Sequence, residues 1–297
     1  MHVPRTDPRC GECLRGLATN AARMATLKSG TEIRNKALEE ALACIEEDMA
    51  LGLASPLIAN RALRAIQRIS GTDDPFEQFK EEELVRAASV YHAVDALIRD
   101  DLRSRVELAV LGNTLDFFRD PREVLQEIPE LVQQGIAFDK DDLDRLDRFL
   151  SQGARRLLYL TDNTGEVFFD LPLYEMLSRR SKSCTLVLKG GPSLNDLTRR
   201  ELRMSGLEAR FGDVDDTGTR GAGIDWEEVS GNFLERVENA DLVLAKGMAN
   251  FETMYPRTLP VPAFFLFRVK CEPIQDMIGV PKGGFVALWK DAGTGES

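Results

Sequence analysis

The chain has 297 residues, 43% hydrophobic and 29% charged, with 38 Lys+Arg against 49 Asp+Glu and a formal charge of −11 at pH 7. That length buries a core without disulfide staples, as one large domain or a core with a smaller companion. The acidic balance argues against nucleic acid as a partner, which needs a positive footprint. No run approaches the ~18 apolar residues of a membrane span. Five cysteines with no apolar leader over residues 1–9 are expected to be reduced thiols in a cytoplasm.

The first third reads as helices. Ser29-x-x-Glu32 has the capping-box pattern ahead of a helix over Ile33–Met49. Ser55-Pro56 reads as an N-cap and first-turn proline for a helix reaching Ile69, and Phe76–Ile98 as a longer one whose charge run, Lys80–Glu83, forms a solvated face. Leu102–Phe118 continues in the same style, with Gly112-Asn113 near its middle or end. Near residue 150 the pattern changes. Leu143–Leu150 is amphipathic, Gly153 is expected to cap it, and Arg156–Thr161 is a short apolar strand. A helix over Val167–Arg180, the strand Cys184–Lys189 and a helix over Leu197–Met204 follow. Then come a helix over Glu227–Asn239 and strands at Leu242–Ala245, Phe264–Val269 and Phe285–Leu288. Strands alternating with helices predict a three-layer, Rossmann-like α/β fold with a mostly parallel sheet. The expected division is a helical N-terminal subdomain over 1–120 and a metal- and phosphate-binding core over 121–297.

Ligands of an open parallel sheet bind beyond the carboxyl ends of its strands. Four strands are followed there by Asp162-Asn163-Thr164-Gly165-Glu166, by Gly190-Gly191-Pro192-Ser193-Leu194-Asn195-Asp196, by Lys246-Gly247-Met248-Ala249-Asn250, and by Lys270. Carboxylate and amide oxygens are hard ligands suited to Mg²⁺ or Mn²⁺. Lysines across the cleft would neutralise a phosphoryl group, and the glycines and the helix start at Gly165 would let backbone N–H groups approach it. A lone strand-end Asp-Asn is usually a turn or cap, Asn195-Asp196 is a good N-cap, and Lys246 alone would be a surface lysine. Their joint occurrence after successive strands is what points to phosphoryl chemistry.

These strings, DNTGEVFFD (162–170), KGGPSLNDLT (189–198), AKGMANFET (245–253) and VKCEPI (269–274), with GNTLDF (112–117) upstream, resemble the damage-control phosphatases. That metal-dependent group was long known only as a domain of unknown function. The likeness runs from Cys10-x-x-Cys13 to the glycines at 279–284 and is strongest to the compact archaeal and bacterial branch. It implies a helical subdomain on an α/β core and hydrolysis of phosphate monoesters, typically damaged or unwanted phosphosugars and related metabolites. It implies Asp162, Asn163 and Asp196 as ligands of a divalent cation (Mn²⁺, Mg²⁺, Co²⁺ or Ni²⁺). Asn250 and Lys270 would contact substrate, with Lys246 beside them, and Asn113 and Asp116 would line the cleft. Eukaryotic relatives carry an arginine where Phe267 stands, so their substrate preference does not transfer. In the expected mechanism the cation polarises a phosphoryl oxygen, Lys246 and Lys270 balance developing charge, and Asp162 or Glu166 orients the attacking water.

Other signals compete. Asp213-Val214-Asp215-Asp216-Thr217 spells the Asp-x-Asp-x-Thr nucleophile loop of haloacid-dehalogenase-type phosphatases, but Glu208–Gly212 before it makes a poor buried strand and glycines 218, 221 and 223 suggest a loop. Cys10-x-x-Cys13 lacks a second pair to complete a zinc site and reads as structural, His92 as a helix residue, and Cys44, Cys184 and Cys271 as packing residues. Gly190-Gly191 is followed by no GK[ST] and no GxGxxG opens a βαβ unit, so neither ATP nor NAD is indicated. An S-adenosylmethionine-dependent carboxyl methyltransferase would need a glycine-rich loop after its first strand, where this chain has Asp-Asn-Thr-Gly-Glu. A non-catalytic phosphometabolite-binding protein is the remaining alternative.

Overall fold

The computed structural model describes residues 6–113, 121–153 and 155–294. Three helices open the chain: α1 (Cys10–Ala25), α2 (Thr31–Leu51) and α3 (Ser55–Ser70). Alanines at helical spacing (Ala18, Ala21, Ala22 and Ala25; Ala37 and Ala41; Ala59 and Ala62) line their shared core with Leu14, Ile45, Ile58 and Ile66. Small side chains on all three faces let the backbones approach closely. Next come α4 (Glu77–Val94), α5 (Leu102–Gly112), α6 (Pro121–Gln134), β1 (Phe138–Asp141) and α7 (Leu143–Ser151). The remainder alternates: β2 (Arg156–Leu160), α8 (Val167–Arg179), β3 (Ser183–Leu188), α9 (Arg199–Met204), β4 (Val214–Asp216), α10 (Gly231–Asn239), β5 (Leu242–Lys246), α11 (Met248–Met254), β6 (Ala263–Arg268), α12 (Glu272–Ile278) and β7 (Phe285–Lys290).

The seven strands form one sheet in the order β1-β7-β6-β5-β2-β3-β4, parallel throughout except for the β6–β7 pair. Strand residues alternate between two cores. Leu157, Tyr159, Leu186, Leu244 and Leu266 face a layer containing α4, α5, α7 and α8. Leu158, Leu160, Val187, Val243 and Phe265 face α10, α11 and α12. The expected three-layer α/β fold is therefore present. Packing divides the expected 1–120 unit in two, because α4 and α5 share the core of the sheet while α1–α3 have their own. The chain runs from β2 outward to β3 and β4, then returns to β5 on the other side of β2 and continues to β6. The switch point lies between β2 and β5, the place where such sheets bind ligands.

Several local expectations need correction. Ser29 does not cap α2, whose N-cap is Gly30 without a side-chain bond. Ser55 lies inside α3, and its hydroxyl instead donates to Glu252 Oε2 at 2.5 Å. Asn195-Asp196 does not start α9, because Thr198 is its cap and accepts the Arg200 N–H. The helix expected over Phe76–Ile98 breaks after Val94 into a 3₁₀ turn, Asp95–Leu97, and the one expected over Leu102–Phe118 ends at Gly112. No helix among the described residues is long and apolar enough to cross a membrane.

Candidate active site

Two loops meet at the switch point. The segment after β2 and the segment before α9 are joined by backbone hydrogen bonds from Thr164 N–H to Asn195 O (2.8 Å) and from Leu197 N–H to Asp162 O (2.9 Å). Asn163 and Asp196 pair between them as an isolated antiparallel bridge. The three expected ligands, Asp162, Asn163 and Asp196, thus come together although 34 residues separate the first from the last. Asp162 and Asp196 are 7% and 3% exposed, and Asn163 is half-buried. Asp162 Oδ2 accepts from Asn113 Nδ2 at 3.0 Å and from Asn163 Nδ2 at 3.1 Å. Asp196 Oδ2 is buried with no hydrogen-bond partner, and the Lys189 ammonium stands 3.8 Å away.

The electrostatics follow from crowding acids in a dry place. Burial, then the neighbouring Glu166 and Asp196 charges, pushes the Asp162 carboxyl up to about 8. Burial likewise lifts Asp196 to about 6, against the pull of Lys189. Glu166 goes the other way: burial would raise it, but the Lys246 ammonium beside it holds it below the usual carboxylate range.

Lys246 does not reach the cleft. Its side chain is fully buried, and its ammonium donates to Ala109 O (2.9 Å), Glu166 Oε2 (2.8 Å) and Asp170 Oδ1 (2.5 Å). All three of its donors are used, so the expected substrate contact gives way to a structural one: Lys246 fixes the base of the site. Glu166 is equally occupied, since Oε1 accepts from Asn113 (2.8 Å) and Asn163 (2.7 Å). Both of its oxygens are thus engaged, Oε2 by Lys246 and Oε1 by the two amides. Asn250 is fully buried as well; it donates to Thr161 O and Lys246 O and accepts from Lys189, so it positions the lysine instead of touching a ligand.

The other expected contacts divide. Lys270 follows β6 and is exposed, and its charge opposes proton uptake at Asp162, Glu166 and Asp196, so it lies within electrostatic reach of the acidic cluster. Asn113 caps α5 and bridges Asp162 to Glu166, while its Oδ1 accepts the Arg268 N–H at 3.2 Å. Asp116 lies outside the described residues. The Gly165 N–H is not open to an anion, because Glu83 Oε1 accepts it at 3.0 Å. Gly190 serves packing: its N–H is bound by Thr219 O, and a Cβ there would stand 2.7 Å from the Gly218 backbone. Gly247 does bear on the site. Its backbone, at φ 79° and ψ 163°, lies against the Asp162 carboxylate, and a Cβ would fall 2.0 Å from Oδ2.

Sequence reading missed two residues. Lys189 is 3% exposed and donates to Gly223 O and Asn250 Oδ1, both at 3.0 Å. Like Lys246 and Lys270 it is a lysine at a strand's carboxyl end, a signal that was available. Glu83 belongs to the charge run read as a solvated face, yet Lys80 and Glu83, one turn apart on α4, are 0% and 1% exposed. Burial lifts the Glu83 carboxyl to about 8. The competing aspartate motif fails on position: Asp213 lies before β4, at the end opposite the site, exposed and bonded to Thr185 and Arg236.

Two carboxylates and an amide form a hard oxygen donor set, and the orphaned, buried Asp196 Oδ2 gives that set an unfilled valence; a divalent cation fits both. Among the described residues no three His, Cys, Asp or Glu side chains by themselves form a group that could hold a metal ion.

Comparison with known proteins identifies the fold and the family. The damage-control phosphatase of Archaeoglobus fulgidus is 29% identical over 95% of this chain and 98% of its own. The damage-control phosphatase PH1575 of Pyrococcus horikoshii is 29% identical over 93% and 96%. The crystal structure of that DUF89 family protein superposes with a TM-score of 0.86, at 28% identity, over 97% of this chain and 99% of the other. Residues 6–286 match the model of the damage-control phosphatase ARMT1-like domain, and the chain belongs to that family.

Proposed function

We propose that this protein is a metal-dependent phosphomonoesterase that hydrolyses small phosphorylated metabolites, with damaged phosphosugars as the leading class. The names of its archaeal relatives support the phosphatase reading. The observation that carries the metal is the convergence of Asp162, Asn163 and Asp196, with a buried Asp196 oxygen lacking a hydrogen-bond partner. Asp162 and Asp196 would hold the cation through oxygens, and Asn163 through its amide carbonyl. Bound there, a divalent cation would supply Lewis acidity toward a phosphoryl oxygen.

The protein's own groups do the rest. Lys270, exposed and within electrostatic reach of the acids, balances charge on the phosphoryl oxygens. Asp162 or Glu166 orients the attacking water and accepts its proton. Lys246 and Asn113 keep Glu166 ionised and immobile beneath them, and Lys189 offsets the charge of Asp196. Phosphate release from a panel of sugar phosphates tests the proposal, using protein stripped by chelation and then given Mn²⁺, Mg²⁺, Co²⁺ or Ni²⁺. The expected result is loss on stripping and return on addition. Full turnover by the stripped protein would overturn the metal role, and no turnover with any substrate would leave a binding protein.

A further inference from the structure

Glu83 is a carboxylate that stability alone does not explain. It is buried on α4, and taking a carboxyl group out of water carries a cost that a well-packed apolar side chain would avoid. Its contacts are specific. Oε1 accepts the Gly165 N–H at 3.0 Å, and Asn195 Nδ2 donates toward both carboxylate oxygens at 3.4 and 3.2 Å. Gly165 lies two residues after Asn163, and Asn195 immediately precedes Asp196. One side chain from the helical layer therefore holds both loops that carry the proposed ligands. Just before Asn195, Leu194 packs against the α1–α3 core with φ 46°, the sole positive φ outside glycine among the described residues. The loop is thus held out of its relaxed conformation next to the Glu83 contact. One turn earlier on α4, Lys80 pairs with Asp74 (2.6 Å) and with Glu201 of α9 (3.0 Å), so the same helix also grips the continuation of the Asp196 loop.

We infer that Glu83 is a positioning residue that sets the spacing of the Asp162-Asn163 and Asp196 loops, so that α4 contributes to metal affinity without touching the metal. The inference rests on the metal reading above. Calorimetric titration of the chelator-stripped, full-length protein with Mn²⁺, well below its Tm, tests it. Glu83→Ala should weaken Mn²⁺ binding by about tenfold or more, the scale of outer-contact losses in metal sites. Asn195→Ala, a half-buried loop position, removes one arm of the same contact and carries the test if Glu83→Ala does not fold. The double variant should bind no more weakly than Glu83→Ala alone, because both changes break one contact. Glu83→Gln keeps a carbonyl oxygen for the Gly165 amide and should recover part of the loss. A merely structural glutamate would lower Tm and leave the Mn²⁺ Kd in place. A Kd within twofold of the wild type in a folded Glu83→Ala or Asn195→Ala variant, or a glutamine variant as weak as the alanine one, overturns this inference alone. A wild-type protein that binds no Mn²⁺ overturns the metal reading and this inference with it.

Discussion

Gly247 offers the sharpest test of the site's geometry, because one methyl group is enough. Its φ of 79° with ψ of 163° lies in a region almost restricted to glycine, where another residue costs on the order of 1–3 kcal/mol. The added Cβ would stand 2.0 Å from Asp162 Oδ2, 2.1 Å from its Cγ and 2.6 Å from Oδ1. Ordinary contact begins near 3.4 Å, so the carboxylate must retreat by 3.4 − 2.0 = 1.4 Å or the backbone must turn. Asp162 has little room to do so, since Asn113 and Asn163 hold Oδ2 and its backbone oxygen accepts the Leu197 N–H. A displacement of about 1 Å at a reacting centre costs on the order of a hundredfold in rate. Gly247→Ala should therefore lose about two powers of ten or more in kcat/KM for sugar-phosphate hydrolysis, together with measurable Mn²⁺ affinity. Phosphate release and Mn²⁺ calorimetry read the two effects, with thermal denaturation to establish that the variant is folded. A folded Gly247→Ala protein with kcat/KM within threefold of the wild type would refute the placement of Asp162.

The two lysines that end β5 and precede α12 should separate cleanly. Lys246→Met leaves Glu166 and Asp170 buried without their counter-charge, at about 3–5 kcal/mol, and should lower Tm by on the order of 10 °C in a thermal melt. Lys270→Met, at an exposed position, should leave Tm and Mn²⁺ binding in place while kcat/KM falls by about a hundredfold, about 2.7 kcal/mol; a change of only a few-fold would remove Lys270 from the phosphate site. Stability of the stripped protein should depend on pH in an unusual direction. Burial raises Glu83 and Asp162 to about 8 and Asp196 to about 6, so between the unfolded values near 4 and those folded values the native state binds more protons than the unfolded chain. Stability is then full below about pH 4 to 5 with respect to these groups, and is lost as pH rises through 6 and 8. Tm measured without metal should be lower at pH 8 than at pH 5, Mn²⁺ should restore more of it at pH 8, and Asp162→Asn should flatten the slope; a Tm that rises across this range would refute the assignment.

The strands and the ligand loops were legible because they follow a positional rule. RLLYL, SCTLVL and LVLAK are apolar through their middles except for Thr185, as strands covered on both faces tend to be, and polar residues at their carboxyl ends mark the rim. The edge strands were not legible: β1 reads FDKD and β4 reads VDD, because an edge exposed to water does not need apolar residues. The capping errors have a common origin. Ser29, Ser55 and Asn195 all have cap chemistry, but a partner elsewhere in the fold, or the next residue along, took the position; Glu252 for Ser55 and Glu83 for Asn195 are contacts over 197 and 112 residues. Lys246 and Lys270 are indistinguishable as strand-end lysines. What buries the first is the Ala109 carbonyl of α5 and two acids of the Glu166–Asp170 turn, none of which local periodicity can bring beside it.

The same long-range contacts bear on which part of the chain makes the site. The sheet supplies the proposed ligands, but their supports come from the helical layer: Glu83 of α4 holds Gly165 and Asn195, and Asn113 at the end of α5 joins Asp162 to Glu166. Asn60 of α3 adds a third, bonding both the N–H and the carbonyl of Ala222, one residue before the Gly223 carbonyl that receives Lys189. Each of these side chains is at most 3% exposed, and each occupies a backbone or side-chain group that would otherwise be buried unpaired, at about 1–3 kcal/mol apiece. A cut at residue 120 would strip all three at once and leave two acidic loops facing each other with their backbone bonds and the Thr164 hydroxyl on Asp196 O to set the gap. The helical layer is therefore half of the candidate active site, and the boundary at residue 120 divides the sequence pattern without dividing the chemistry.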